Sequence, residues 1–199
     1  MSMLAFGAKP HALRCARCGR FVDWAESQLQ TVCSCRSRPT CPAVLVRQAD
    51  PADRVETLAL FRRDFGRAAV LAFGELMSLE DCPIIIAEMR GELAGALAYR
   101  LLPDALHIMA LATDPMWQRS GVATHLAIEA EALARRHGVS RLVFATTNDN
   151  LPALYFYQRR GWTLTEVVPG AMIEHVKPHD RAGFAGIPVR DEIRMEKSI

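Results

Sequence analysis

The chain has no long apolar run: nothing in its 199 residues approaches the ~20 consecutive apolar positions that a helix needs to cross a bilayer. Its start, Met1-Ser2-Met3-Leu4-Ala5-Phe6-Gly7, lacks the basic stretch and apolar core of a secretory leader. These absences predict a cytoplasmic protein with no membrane partner, in a compartment where disulfides are rare. Charge of one sign is lacking too. Twenty-four Lys and Arg face 22 Asp and Glu, a net charge of +2, so the chain as a whole has no electrostatic footprint for nucleic acid. Repeats and low-complexity tracts are absent. What remains is ordinary globular composition, half hydrophobic and 23% charged, with length enough for one well-cored domain and a small appendage.

Residues 1–41 are poor in core candidates, chiefly Phe21, Val22, Trp24, Leu29 and Val32. They are rich in thiols: Cys15-x2-Cys18 and Cys33-x-Cys35 lie 14 residues apart, each pair bracketing a short turn. Two such knuckles deliver four soft ligands to a tetrahedral metal, and the arrangement resembles a zinc ribbon. Structural zinc would supply the cross-link that so small a core needs. Two disulfides or unpaired thiols are the other readings, and the leaderless start weighs against disulfides. The second knuckle is shorter than the commoner C-x2-C, which leaves Cys41 or His11 open as a substitute ligand. The segment holds six basic residues against Asp23 and Glu26, too little by itself to argue for DNA binding, and a protein partner is open for it. Cys82, far from the cluster and before Pro83, reads as a small buried apolar residue.

Composition changes between Pro39 and Pro42, which places a boundary between a segment 1–41 and a domain 42–199. Val44-Leu45-Val46-Arg47 reads as a strand, Asp50-Pro51 as a helix start, and Val55, Leu58, Phe61 and Phe65 as one helix face running to Gly66. Val70-Leu71-Phe73-Leu76 suggests a second helix. Pro83–Glu88 and Leu93–Tyr99 flank Arg90-Gly91-Glu92, a hairpin signal. Pro103-Asp104 turns into a strand over Leu106–Leu111. Val122, Leu126, Ala130 and Leu133 form the stripe of a long helix that Gly138 stops. Arg141–Thr147, Trp162–Val168 and Glu192–Glu196 read as further strands. Pro169 to Asp191 is too long for a hairpin loop and predicts a flap, with His175, Lys177, His179 and Asp180 polar enough to meet a substrate.

Between the Leu106–Leu111 strand and the long helix lies Gln118-Arg119-Ser120-Gly121-Val122-Ala123-Thr124, behind Asp114-Pro115. Small residues there let an anion approach the main chain at the positive end of a helix, which makes the loop a diphosphate cradle. The pattern Q-x-x-G-x-A resembles the acyl-CoA loop of the GCN5-related N-acetyltransferases, the GNAT superfamily. Asn150-Leu151-Pro152-Ala153-Leu154-Tyr155-Phe156-Tyr157-Gln158-Arg159-Arg160-Gly161-Trp162 resembles that family's second signature, in the family's order. The resemblance covers roughly residues 43–199.

It implies an α/β (α+β) fold, a mixed and mostly antiparallel sheet of about seven strands flanked by about four helices. It also implies an N-acetyltransferase that uses acetyl-CoA as cosubstrate and an amine-bearing acceptor. On that resemblance the main chain at Leu111, Ala112 and Thr113 would bind the pantetheine arm. Amides of Arg119, Ser120, Gly121, Val122, Ala123 and Thr124, behind Gln118, would bind the diphosphate, with the Thr124 hydroxyl as an added donor. Asn150 would contact the cofactor, and Tyr157 would stand near the thioester sulfur as general acid. Many members place a glutamate base on the strand before the loop. Here that strand offers only His107, with Glu88 on the preceding hairpin or a water as alternatives. A second reading is a binding protein that senses acyl-CoA without turnover while its ribbon engages a protein or nucleic acid. Nothing in the sequence names the acceptor or decides whether the chain forms a homodimer.

Overall fold

The computed structural model describes residues 13–15, 43–176 and 182–199. In chain order the elements are β1 (Leu13–Cys15), β2 (Ala43–Gln48), α1 (Arg54–Phe65), β3 (Ala69–Ala72), β4 (Glu75–Ser78), β5 (Ile84–Met89), β6 (Glu92–Leu101), β7 (Leu106–Thr113), α2 (Val122–Arg136), β8 (Arg141–Thr147), α3 (Leu151–Gln158), β9 (Thr163–Val168) and β10 (Glu192–Ser198). One sheet runs β1-β2-β5-β6-β7-β8-β10-β9, and β3 with β4 forms a separate hairpin. Every neighbouring pair in the large sheet is antiparallel except β7 and β8.

The local signals act as expected at most boundaries. Asp50 caps the turn before α1 by accepting from the amides of Ala52 and Asp53, and Gly66 ends that helix at φ 71°. Arg90 and Gly91 both take positive φ in the β5–β6 turn.

The expected helix over Val70–Leu76 is a hairpin instead. Phe73 (φ 56°) and Gly74 (φ 78°) form a two-residue turn with both residues left-handed, the geometry that matches strand twist, and Ala72 pairs with Glu75 across it. The described residues therefore hold three α-helices rather than about four.

At the other edge of the sheet β1 pairs with β2, Cys15 lying opposite Ala43. The remaining zinc-ligand candidates, Cys18, Cys33 and Cys35 with His11 and Cys41, lie outside the described residues.

Both faces of the sheet are covered. On one, α2 packs Val122, Leu126, Ala130 and Leu133 against Ile85, Leu97, Ile108 and Phe144. On the other, Leu58 and Phe61 of α1 pack with Ile84, Ile86, Ala96, Ala98, Ala110 and the buried Cys82.

Alternation alone would put Ile108 and Ala110 on the same face. A bulge prevents it: Ala98 pairs with Ala110 and Tyr99 with Ile108, which leaves Met109 as the extra residue. Bulges bend and twist a strand. Pairing of β7 with β8 stops at this point, covering only Leu106–Ile108 against Leu142–Phe144, although β7 runs on to Thr113 and β8 to Thr147. The sheet is thus split into a wedge beyond Ile108. Gly95 seats the first turn of α2 beside the wedge, because a Cβ there would lie 2.7 Å from Val122 Cγ1 and 2.9 Å from the Ala112 carbonyl oxygen.

Candidate active site

A cleft of about 1370 Å³ occupies the wedge and takes its walls from both faces of the sheet. Val122, Phe144 and Tyr157 belong to the α2 side; Val70, Met109 and Ala110 belong to the α1 side. The splayed strands therefore make a passage through the sheet, open to different elements at its two ends.

On the α2 side the chain leaves β7 through Asp114, which caps a short turn over Pro115–Trp117. The Asp114 carboxylate accepts from Arg63 at 2.8 Å and from the Met116 amide at 2.9 Å, and the Arg63 hydrogen bond is the larger cause holding its pKa below the ordinary value. Arg119 (φ 63°) and Gly121 (φ 96°) then reverse the chain into α2.

The first amide in this stretch to join the helix ladder is that of His125, which donates to Gly121. Among the described residues, no main-chain carbonyl accepts from the amides of Arg119, Gly121, Val122, Ala123 or Thr124. All five residues line the cleft together with Gln118. Unpaired donors at a helix start are an anion site.

Two of the expected cradle and arm residues turn elsewhere. The Ser120 hydroxyl donates to the Trp117 carbonyl at 2.5 Å. Ala112 packs in the α1-side core while Leu111 and Thr113 line the cleft.

Arg160 was not singled out in the sequence. Its guanidinium donates to the Thr124 hydroxyl and to the Phe156 carbonyl (2.8 Å), and sits 3.7 Å over the Phe156 ring. Its Nε is buried without a partner among the described residues, and burial pushes its pKa down. A half-desolvated cation beside free amides completes the electrostatics of an anion pocket. Arg160 and Thr124 are 36 positions apart, so no local pattern joins them.

The second signature segment forms α3. Asn150 caps it, its Oδ1 accepting from the Ala153 amide at 3.2 Å while its Nδ2 donates to the Thr146 hydroxyl at 3.1 Å. Asn150 and Tyr157 both line the cleft. The Tyr157 ring is only 2% exposed, packed 4.2 Å from Phe144 and edge-on to Phe156 and Trp162. Its hydroxyl is buried with no hydrogen-bond partner among the described residues, and burial raises its pKa above the ordinary phenol value.

The two base candidates lie outside the cleft. His107 packs tilted against Phe73, ring centres 4.7 Å apart, and lines a separate cavity of about 400 Å³ with Asp104, Arg141 and Glu196. Glu88 accepts from Arg47 at 2.6 Å in a cluster that also includes Asp53. The imidazole that does line the cleft, among the described residues, is His175, with Met172 and Val176 beside it.

These three belong to the expected flap, whose described parts are tied to the end of β8. Asn148 Oδ1 accepts from the amides of Arg190 and Asp191, both at 2.9 Å. Asp149 accepts from the Phe184 amide at 3.0 Å, and Asp191 from the Gly170 amide at 2.8 Å. Lys177, His179 and Asp180 lie outside the described residues.

Known proteins share this fold. The model of the acetyltransferase (GNAT) family matches residues 52–162, more than half the chain. An uncharacterized protein of Bacillus subtilis, YdhI, is 34% identical over 112 residues, spanning 55% of this chain and 69% of that protein. Among solved structures, an IAA acetyltransferase from Bacillus cereus superposes with a TM-score of 0.62 at 20% identity, over 78% of this chain and 99% of its own. A Bacillus subtilis acetyltransferase in complex with CoA does so with the same TM-score and coverage at 18% identity. At these identities the superpositions establish the fold. No helix among the described residues is long and apolar enough to cross a membrane.

Proposed function

The chain belongs to the acetyltransferase (GNAT) family, and from that premise we propose that it moves an acetyl group from acetyl-CoA to a primary amine by direct attack. The observation that carries this reading is the buried, unpartnered hydroxyl of Tyr157, which lines a passage whose one end is a set of free amides. A buried polar group without a partner is costly to a fold, and a ligand atom that completes it explains its presence.

In this reading the amides of Arg119 and Gly121–Thr124, with Arg160, hold the diphosphate. The pantetheine arm runs along the unpaired stretch of β7 at Leu111 and Thr113, with Asn150 on the opposite wall. The acetyl carbonyl then sits in the passage near Tyr157, and the amine arrives from the α1 side. The amine lone pair forms the new C–N bond, the C–S bond breaks, and Tyr157 donates its proton toward the departing sulfur. Protons lost by nitrogen go to His175 or to water, since His107 and Glu88 lie elsewhere. An unperturbed alkylamine is mostly protonated near neutral pH, so nitrogen gives up two protons per cycle, one before attack and one after; one restores Tyr157 and the other leaves to solvent.

Thiol release from acetyl-CoA in the presence of a pool of primary amines, with the amide identified by mass, tests the reading. Amine-dependent release is expected. Acetyl-CoA binding with no amide formed from any amine would leave the sensor reading in its place.

For residues 1–41 we propose a structural zinc held by Cys15, Cys18, Cys33 and Cys35. The support is the ligand spacing in a segment too poor in apolar residues to fold alone. Native mass spectrometry should find one zinc per chain, and Cys33→Ser should lose it. A metal-free chain with disulfides between these thiols would refute the site, whereas zinc retained by Cys33→Ser would move a ligand to Cys41 or His11.

A further inference from the structure

We propose that the α1-side mouth of the cleft accepts a single primary amine carried on an apolar body and rejects polycations such as polyamines. This rests on the acetyltransferase reading and adds to it the class of acceptor.

The wall of this mouth is β3. Val70 packs onto the α1-side core and lines the cleft with Met109 and Ala110, and Leu71 lines it half-exposed. Met172 and Val176 also line the cleft. An aliphatic or aromatic body would bury against these side chains, whereas a chain of ammonium groups would lose hydration there and gain no partner.

Charge points the same way. Among the described lining residues the single carboxylate is Asp64, and Arg63 already holds it at 3.0 Å. Four arginines line the cleft: Arg67, Arg119, Arg159 and Arg160. The last three are close in sequence to the cradle and α3, so bound phosphates would offset them. Arg67 follows α1 and has no acidic partner among the described residues. A second positive charge on the acceptor would therefore meet an uncompensated cation and, among the described residues, no carboxylate that is not already paired.

The wall is also held in place. Glu192, 1% exposed, accepts from the Phe73 amide at the hairpin tip (2.9 Å) and from Arg194 Nε (2.6 Å). Arg194 lies 5.5 Å from the Phe73 ring centre, and His107 packs at a tilt against the same ring. The mouth is thus preformed, and selection falls on the shape and charge of the amine.

Calorimetry on the CoA-saturated protein tests this without turnover, using 2-phenylethylamine and spermidine as probes. Phenylethylamine should bind at least about tenfold more tightly than spermidine. Leu71→Asp, or Val176→Asp should the first not fold, should narrow or reverse that preference. Spermidine binding as well as phenylethylamine, neither amine binding, or a preference unaltered in a folded variant would each overturn the proposal. A protein that binds phenylethylamine in this order yet forms no amide would refute acetyl transfer and leave the acceptor assignment standing.

Discussion

Tyr157→Phe is expected to lower kcat by about 10²-fold, some ~3 kcal/mol of barrier, with acetyl-CoA affinity unchanged and stability unchanged or raised. Three observations combine in this expectation. The ring is locked among Phe144, Phe156 and Trp162, and phenylalanine keeps that packing. The hydroxyl is buried with no partner, so its removal relieves a desolvated group and breaks no internal bond. Burial also keeps the phenol protonated well above neutral pH, so it holds the proton a thiolate needs across the working range. A thiolate leaves more readily than most anions, which places the loss near the low end of the range typical for a general acid. Activity lost while stability holds or rises is the signature of a group kept for chemistry. A structural tyrosine would show the reverse. Urea unfolding beside steady-state rates separates the two.

Gly121→Glu is expected to abolish measurable acetyl-CoA binding while the fold persists. Gly121 sits at φ 96°, where a side chain is strained, and it opens the helix whose free amides line the cleft. Any Cβ should cost ~1–2 kcal/mol of stability through the backbone alone. Gly121→Ala measures that part. The glutamate adds an anion where a diphosphate would approach, and the loss beyond the alanine variant reports that repulsion. Calorimetric titration of both variants checks it. Wild-type affinity in Gly121→Glu would remove the loop as the diphosphate site.

Strand periodicity, the Asp50 cap, the Arg90-Gly91 turn and the glycine-opened α2 were legible in the sequence because each is set by residues a few positions apart. The β3–β4 hairpin was not. Val70, Leu71 and Leu76 suit a helix face or a short strand equally, and the deciding signal was Phe73-Gly74, read as part of a helix. The bulge at Met109 depends on which partner residue it skips, so nothing in β7 alone announces it. It nonetheless marks where the wedge opens. Arg160 with Thr124, and Glu192 with Phe73, join residues 36 and 119 positions apart, and only the folded chain brings them together. His107 lies on the strand that its sequence neighbours predict. Its side chain lines the cavity behind the hairpin instead of the cleft.

Initial rates of thiol release across a matrix of acetyl-CoA and amine concentrations bear most directly on the central claim, that both substrates meet in one passage through the sheet. Simultaneous occupancy and direct attack predict double-reciprocal lines that intersect, with no acetylated protein detected by mass. Parallel lines with a stable acetyl-enzyme would contradict the account.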